Sequence, residues 1–171
     1  MRLLIVPIFA FAAATPALAI DMPARKPGLW ELKMTMEGRK LPPQTFQHCI
    51  DAATDKEMNT IGANKSAERC SKQDVQRSGS TITVDSVCAV GQGTSTSHAV
   101  VNGSFDSAYT VKVTSKREGG PSIPNMPAET NMTIEATWLG PCKADQKPGD
   151  MVMANGMKMN IHDMPGGIPK R

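Results

Sequence analysis

Apolar and polar residues alternate along most of this chain. Residues 29–37 show it most cleanly: Trp30, Leu32, Met34 and Met36 fall on one parity, and Glu31, Lys33, Thr35 and Glu37 on the other. A period of two is the mark of a strand with one buried face. From Ser80 to Lys116 Thr and Val recur, and Gly91-Gln92-Gly93 and Asn102-Gly103 interrupt the run. This is the pattern of consecutive antiparallel strands joined by tight turns. The alternation predicts about seven strands: residues 29–37, 44–50, 70–77, 81–90, 94–101, 108–116 and 130–139. One stretch breaks the period. Asp51 and Thr54 are cap formers and Glu57 follows Thr54 by three, which predicts one short helix over 52–61, ended by Gly62.

The expected fold is therefore mainly β: about seven antiparallel strands in a twisted sheet or a half or closed barrel, with one short helix across an opening. Trp30, Leu32, Met34, Met36, Ile82, Val84, Tyr109, Val111, Val113, Ile134 and Trp138 fall at inward parities. They either fill a solid core, the commoner outcome in proteins, or leave room for an apolar ligand between sheet and helix. Beyond residue 148 the pattern changes again. Met151, Met153, Met157 and Met159 flank Asn155-Gly156 on alternate positions, which predicts a Met-rich terminal hairpin and tail over 148–171.

The first 19 residues do not belong to this pattern. Arg2, an apolar run over 3–14 and Ala17-Leu18-Ala19 make a leader with a small-residue cleavage site. The run is too short to span a bilayer permanently. The expectation is a single β-rich domain over 20–171, soluble in the periplasm or secreted after cleavage near Ala19, without stable membrane insertion. The four cysteines, Cys49, Cys70, Cys88 and Cys142, then read as two disulfides. Three pairings are possible. Cys70 and Cys88 each lie nine positions from Gly79, so a hairpin centred there brings them together. In a simple meander the seventh strand finishes at the opposite end of the sheet from Cys88, which favours Cys49 as the partner of Cys142.

Net charge is +3, and of the few aromatics beyond the leader Trp30, Tyr109 and Trp138 sit at inward parities. A nucleic-acid surface needs clustered basic residues with exposed stacking rings, so that class is set aside. Thr96 stands where a dinucleotide loop starting at Gly91-Gln92-Gly93 needs its third glycine. No nucleophile elbow or zinc-ligand spacing accompanies His48, His98 and His162, and no enzyme activity or cofactor is expected. One chemical signal remains. Met151, Met153, Met157, Met159 and Met164, with His162 among them, form a soft-ligand cluster of the kind that suits Cu(I). Met is equally a flexible filler of apolar faces, and Met34, Met36, Met126 and Met132 show that the chain uses it widely.

Lys26-Pro27-Gly28-Leu29-Trp30-Glu31, Cys49-Ile50-Asp51, residues 103–110, Trp138-Leu139-Gly140-Pro141-Cys142 and Pro148-Gly149-Asp150-Met151 together resemble the bacterial "domain of unknown function 3617" family. The resemblance implies an exported, periplasmic protein of a Gram-negative bacterium and carries over no activity or site residues. The sequence thus points to a non-enzymatic binding or envelope-associated protein, whose partner would be another envelope protein or an apolar ligand. Copper binding by the terminal hairpin is the alternative.

Overall fold

The computed structural model describes residues 22–38, 42–121 and 127–163. The expected leader over 1–19, and Met164 with the rest of the tail, lie outside the described residues. Nine strands form one antiparallel sheet: β1 (Gly28–Glu37), β2 (Gln44–Ile50), β3 (Cys70–Ser78), β4 (Thr81–Val90), β5 (Gly93–Ser104), β6 (Ala108–Glu118), β7 (Glu129–Gly140), β8 (Asp150–Met153) and β9 (Lys158–Asn160). Their order is β3-β4-β5-β6-β7-β1-β2-β8-β9. The sheet is open, with β3 and β9 as its edges, so the closed-barrel alternative does not form. Seven strands were expected; the two more are the arms of the terminal hairpin, which pairs its β8 with β2 and so extends the sheet.

The register puts the inward residues into rows that run across the strands. One row is Ile82, Val101, Val111, Ile134 and Met34, and the next is Val75, Val84, Ala99, Val113, Met132 and Met36. Toward β8 the rows are Tyr109, Ala136, Leu32, Phe46 and Met153, and Trp138, Trp30, His48, Met151 and Met159. Trp30, Leu32, Ile50 and Ala136 are the buried centre, with Phe46, Met58, Tyr109, Ile134 and Trp138 packed around them. Rings add to this packing, with Tyr109 lying 5.6 Å from Trp30 and 4.7 Å from Phe105 between centroids. Gly28 (φ +133°) is required where β1 starts, because a Cβ there would lie 2.6 Å from Trp138 Nε1 and would collide with the carbonyl of Gly140.

The helix α1 spans Ala52–Arg69, eight residues beyond the expected end. A single interior glycine costs about 1 kcal/mol, and Gly62 is followed by the good helix formers Ala63, Lys65, Ala67, Glu68 and Arg69. The helix ends only where Cys70 turns to extended backbone, its N–H still bonded to the Ser66 carbonyl. Asp51 is the N-cap: its carboxylate accepts from the Thr54 N–H at 2.7 Å, and the Thr54 hydroxyl accepts from the Asp51 N–H at 2.9 Å. The capping box is therefore Asp51–Thr54, one turn earlier than Thr54–Glu57.

Two disulfides are present, Cys49–Cys142 and Cys70–Cys88, the pairing that strand direction favours. Cys70 and Cys88 sit opposite one another in the β3–β4 ladder.

Candidate functional site

The helix leaves the end of β2 and returns the chain to β3, at the far side of the sheet. Its 18 residues give it a length of about 27 Å, and six strand intervals make about 29 Å. One helix thus reaches from one side of the inner face to the other. It touches β2, β3 and β4. Met58 drops into the core near β2. Past Met58 the sequence offers little to fill the gap: Gly62, Ala63 and Ser66 are small. A cavity of about 710 Å³ results, bounded by these residues, by Met22 and Ala24 of the entry segment, and by Gln73, Val75 and Val84 of the sheet. Ligand sites commonly measure about 300–1,000 Å³ and combine an apolar lining with a few polar groups. Here the polar groups are Asp55, Lys56, Asn59, Thr60, Ser66 and Gln73.

The entry segment is tied to the helix by a buried ion pair. Asp55 is fully buried and accepts from Arg25 twice, at 2.7 Å from Nε and 2.8 Å from the backbone N–H. The Lys26 carbonyl in turn accepts from Trp30 Nε1 at 2.8 Å, and the Lys26 ammonium lies 3.7 Å over the Trp138 ring. Asp55 carries no sequence signal beyond its place in the first helical turn. Its importance follows from burial, which alternation does not reveal for a helical residue.

The Met-rich hairpin forms a second candidate. Met151 pairs with Met159, and the Met153 N–H donates to the Met157 carbonyl at 2.9 Å, so the four Met residues share one face. Met157 is half exposed at the turn, while Met151, Met153 and Met159 are partly buried. His162 is not on this ladder. It lies in a short 3-10 helix, Ile161–Asp163, with Nε2 3.7 Å from Glu57 Oε2 on α1. The structure therefore gathers the four Met residues on one face and brings His162 toward Glu57.

A different histidine stands beside them. His48 is directly across from Met151 in the β2–β8 ladder and across from Trp30 in the β1–β2 ladder. Its ring lies 5.2 Å from the Phe46 ring. Both ring nitrogens are inaccessible to solvent and neither has a hydrogen-bond partner. Burial, with the nearby Arg25 charge, lowers its pKa to about 4 and keeps the imidazole neutral. Its parity between Phe46 and Ile50 was the one sequence cue, and the register alone brings Met151 to it. His98, by contrast, lies on the outer face, with Nδ1 2.8 Å from Asp85 Oδ1. Among the described residues no three His, Cys, Asp or Glu side chains are grouped to hold a metal ion. No described helix is long and apolar enough to cross a membrane.

The model of one family, a protein of unknown function (DUF3617), matches residues 25–142. That span holds β1 through β7, α1 and all four cysteines; the resembling stretch at 148–151 and the hairpin lie beyond it. No curated protein matches the chain, and no solved structure does.

Proposed function

We propose, from the premise that the chain belongs to the DUF3617 family, that it is an exported, non-enzymatic binding protein. It holds an apolar ligand of acyl-chain character between α1 and the inner face of the sheet. The observation that carries this reading is the cavity of about 710 Å³ beside α1, whose lining residues Gly62, Ala63 and Ser66 are too small to fill it. The apolar row of Val84, Ala99, Val113, Met132 and Met36 extends that lining as a half-buried surface. Met side chains suit such a surface, because a flexible thioether adapts to ligands of varied shape. Export is supported by the leader pattern over 1–19 and by the two disulfides, which persist in oxidising compartments.

The test is a titration of the purified protein with a fluorescent polyene fatty acid. A companion variant, G62L/A63L, fills the cavity. A Cβ at Gly62 meets nothing within 4 Å, and Leu in place of Gly improves helix propensity by roughly 0.5–1 kcal/mol. The variant is therefore expected to fold at least as well as the parent while losing the probe. Equal binding by both proteins, or none by the parent, would remove this reading. The mass of the exported protein checks the compartment: a chain starting at Ile20 with four hydrogens fewer than its reduced form is expected.

A further inference from the structure

The buried histidine of β2 calls for a partner that the protein chain does not supply. An orphaned polar nitrogen away from water costs about 1–3 kcal/mol, and native proteins seldom carry one without a reason such as an ion. Two nitrogens of His48 are in this position. The residues that share its row are not random. Met151 faces it across one ladder, and Met159 faces Met151 across the next. Directly opposed side chains in an antiparallel pair have Cβ atoms about 4.5–5.5 Å apart, and a Met thioether on three rotatable bonds can swing toward either neighbour. The next row on the same face, Phe46–Met153–Met157 toward the hairpin turn, has the same sulfur positions but a phenyl ring where His48 would be. One row therefore offers nitrogen and two sulfurs, and the other offers sulfur alone.

We propose that His48, Met151 and Met159 form a binding site for a soft monovalent cation, Cu(I) or its surrogate Ag(I), at the junction of β2, β8 and β9. Thioether sulfur and neutral imidazole are the ligand types such ions prefer, whereas Mg²⁺, Ca²⁺ and similar hard ions want oxygen. The three ligands carry no formal charge and the Arg25 cation that acts on His48 is paired with Asp55, so a monovalent cation leaves the smallest unbalanced charge in a partly buried place. Its position differs from the cluster that the sequence suggests. His162 is not a ligand, because it faces Glu57, and Met153 and Met157 stand in the row without a histidine. The four cysteines are paired in disulfides and do not compete for the ion. The site is also independent of the cavity beneath α1, none of whose lining residues it shares.

The experiment is a competition titration of the oxidised, purified protein with a Cu(I) chelator, repeated with M151L/M159L and with M153L/M157L. Met and Leu are close in volume, so both variants keep the fold. The parent and M153L/M157L are expected to take up one equivalent of Cu(I). M151L/M159L is expected to weaken it more than about 100-fold, beyond the 10–100-fold that loss of an outer-shell partner costs. Ag(I) is expected to shift the imidazole ¹⁵N resonances of His48 and leave those of His98 in place, a readout that needs no histidine variant. Absence of one-equivalent binding by the parent overturns the proposal. So does unchanged affinity in M151L/M159L, equal loss in M153L/M157L, or an unperturbed His48 ring.

Discussion

At the scale of single residues, two buried polar side chains bear directly on stability, His48 and Asp55. His48 has its pKa lowered to about 4 by burial and by the Arg25 charge, against about 6.5 in an unfolded chain. Between those values the unfolded state binds a proton that the native state refuses, so stability falls as pH drops from about 6.5 to 4. The full effect amounts to about 3 kcal/mol. Urea denaturation of the metal-free protein across this window is expected to show the slope, and H48L is expected to lose it. An identical slope in H48L would refute the assignment. Asp55 bears on stability through its buried ion pair with Arg25. Removing it leaves the Arg25 guanidinium, only 11% exposed, without its carboxylate partner. A buried pair broken in this way costs about 3–5 kcal/mol. Chemical denaturation of D55A is expected to show a loss of that size, and a loss under about 1 kcal/mol would contradict the burial of the pair. Neither residue announces itself in the sequence, since an Asp in a first helical turn and a His in a strand are both ordinary.

At the scale of elements, the alternation in the sequence corresponds closely to the observed strands, because β1, β5, β6 and β7 each have one face more buried than the other, whereas β3 is exposed at most of its positions. Trp30, Leu32, Met34 and Met36 could be assigned to a face before any partner strand was known. The helix end was less legible. A glycine ends a helix when the backbone needs a positive φ, and Gly62 keeps helical geometry among strong helix formers. The attachment of the hairpin was not legible either. Asn155-Gly156 announces a turn, but which edge β8 joins is a long-range choice. It is fixed by the Cys49–Cys142 bridge and by the Gly149 N–H donating to the Cys49 carbonyl at 2.8 Å. The two disulfides bind elements over very different spans, 93 and 18 residues. Loop-closure entropy then makes the Cys49–Cys142 bridge worth about 1.5 kcal/mol more than Cys70–Cys88. Thermal unfolding of C49A/C142A and C70A/C88A is expected to rank them in that order, with the first also weakening the attachment of β8 and β9. The reverse order would mean that the unfolded chain is already constrained near Cys49.

At the scale of the whole molecule, one open sheet carries one helix laid across its inner face, and the two are unequally secured. Each of β4, β5, β6 and β7 is hydrogen-bonded on both sides along most of its length. The helix is anchored at its start by the Asp51 cap, Asp55–Arg25 and Met58, and at its end by the chain's turn into β3 and the Cys70–Cys88 bridge. Between these ends it lies over a cavity. Local stability follows buried contacts, so regions with few of them open at lower free energy than the global transition. In native-state hydrogen exchange, the amides of residues 59–66 are therefore expected to exchange through openings well below the global unfolding free energy, while those of β5 and β6 exchange near it. An apolar ligand that fills the cavity is expected to change this balance. At 100 times its Kd it stabilises the folded form by about 2.7 kcal/mol, and the protection appears first at residues 59–66, where the opening that releases the ligand takes place. If saturating fatty acid raises protection in β5 and β6 and leaves residues 59–66 unchanged, the ligand lies elsewhere on the sheet. If residues 59–66 are already as protected as β5 in the free protein, the helix does not open and the cavity has no entry by this route.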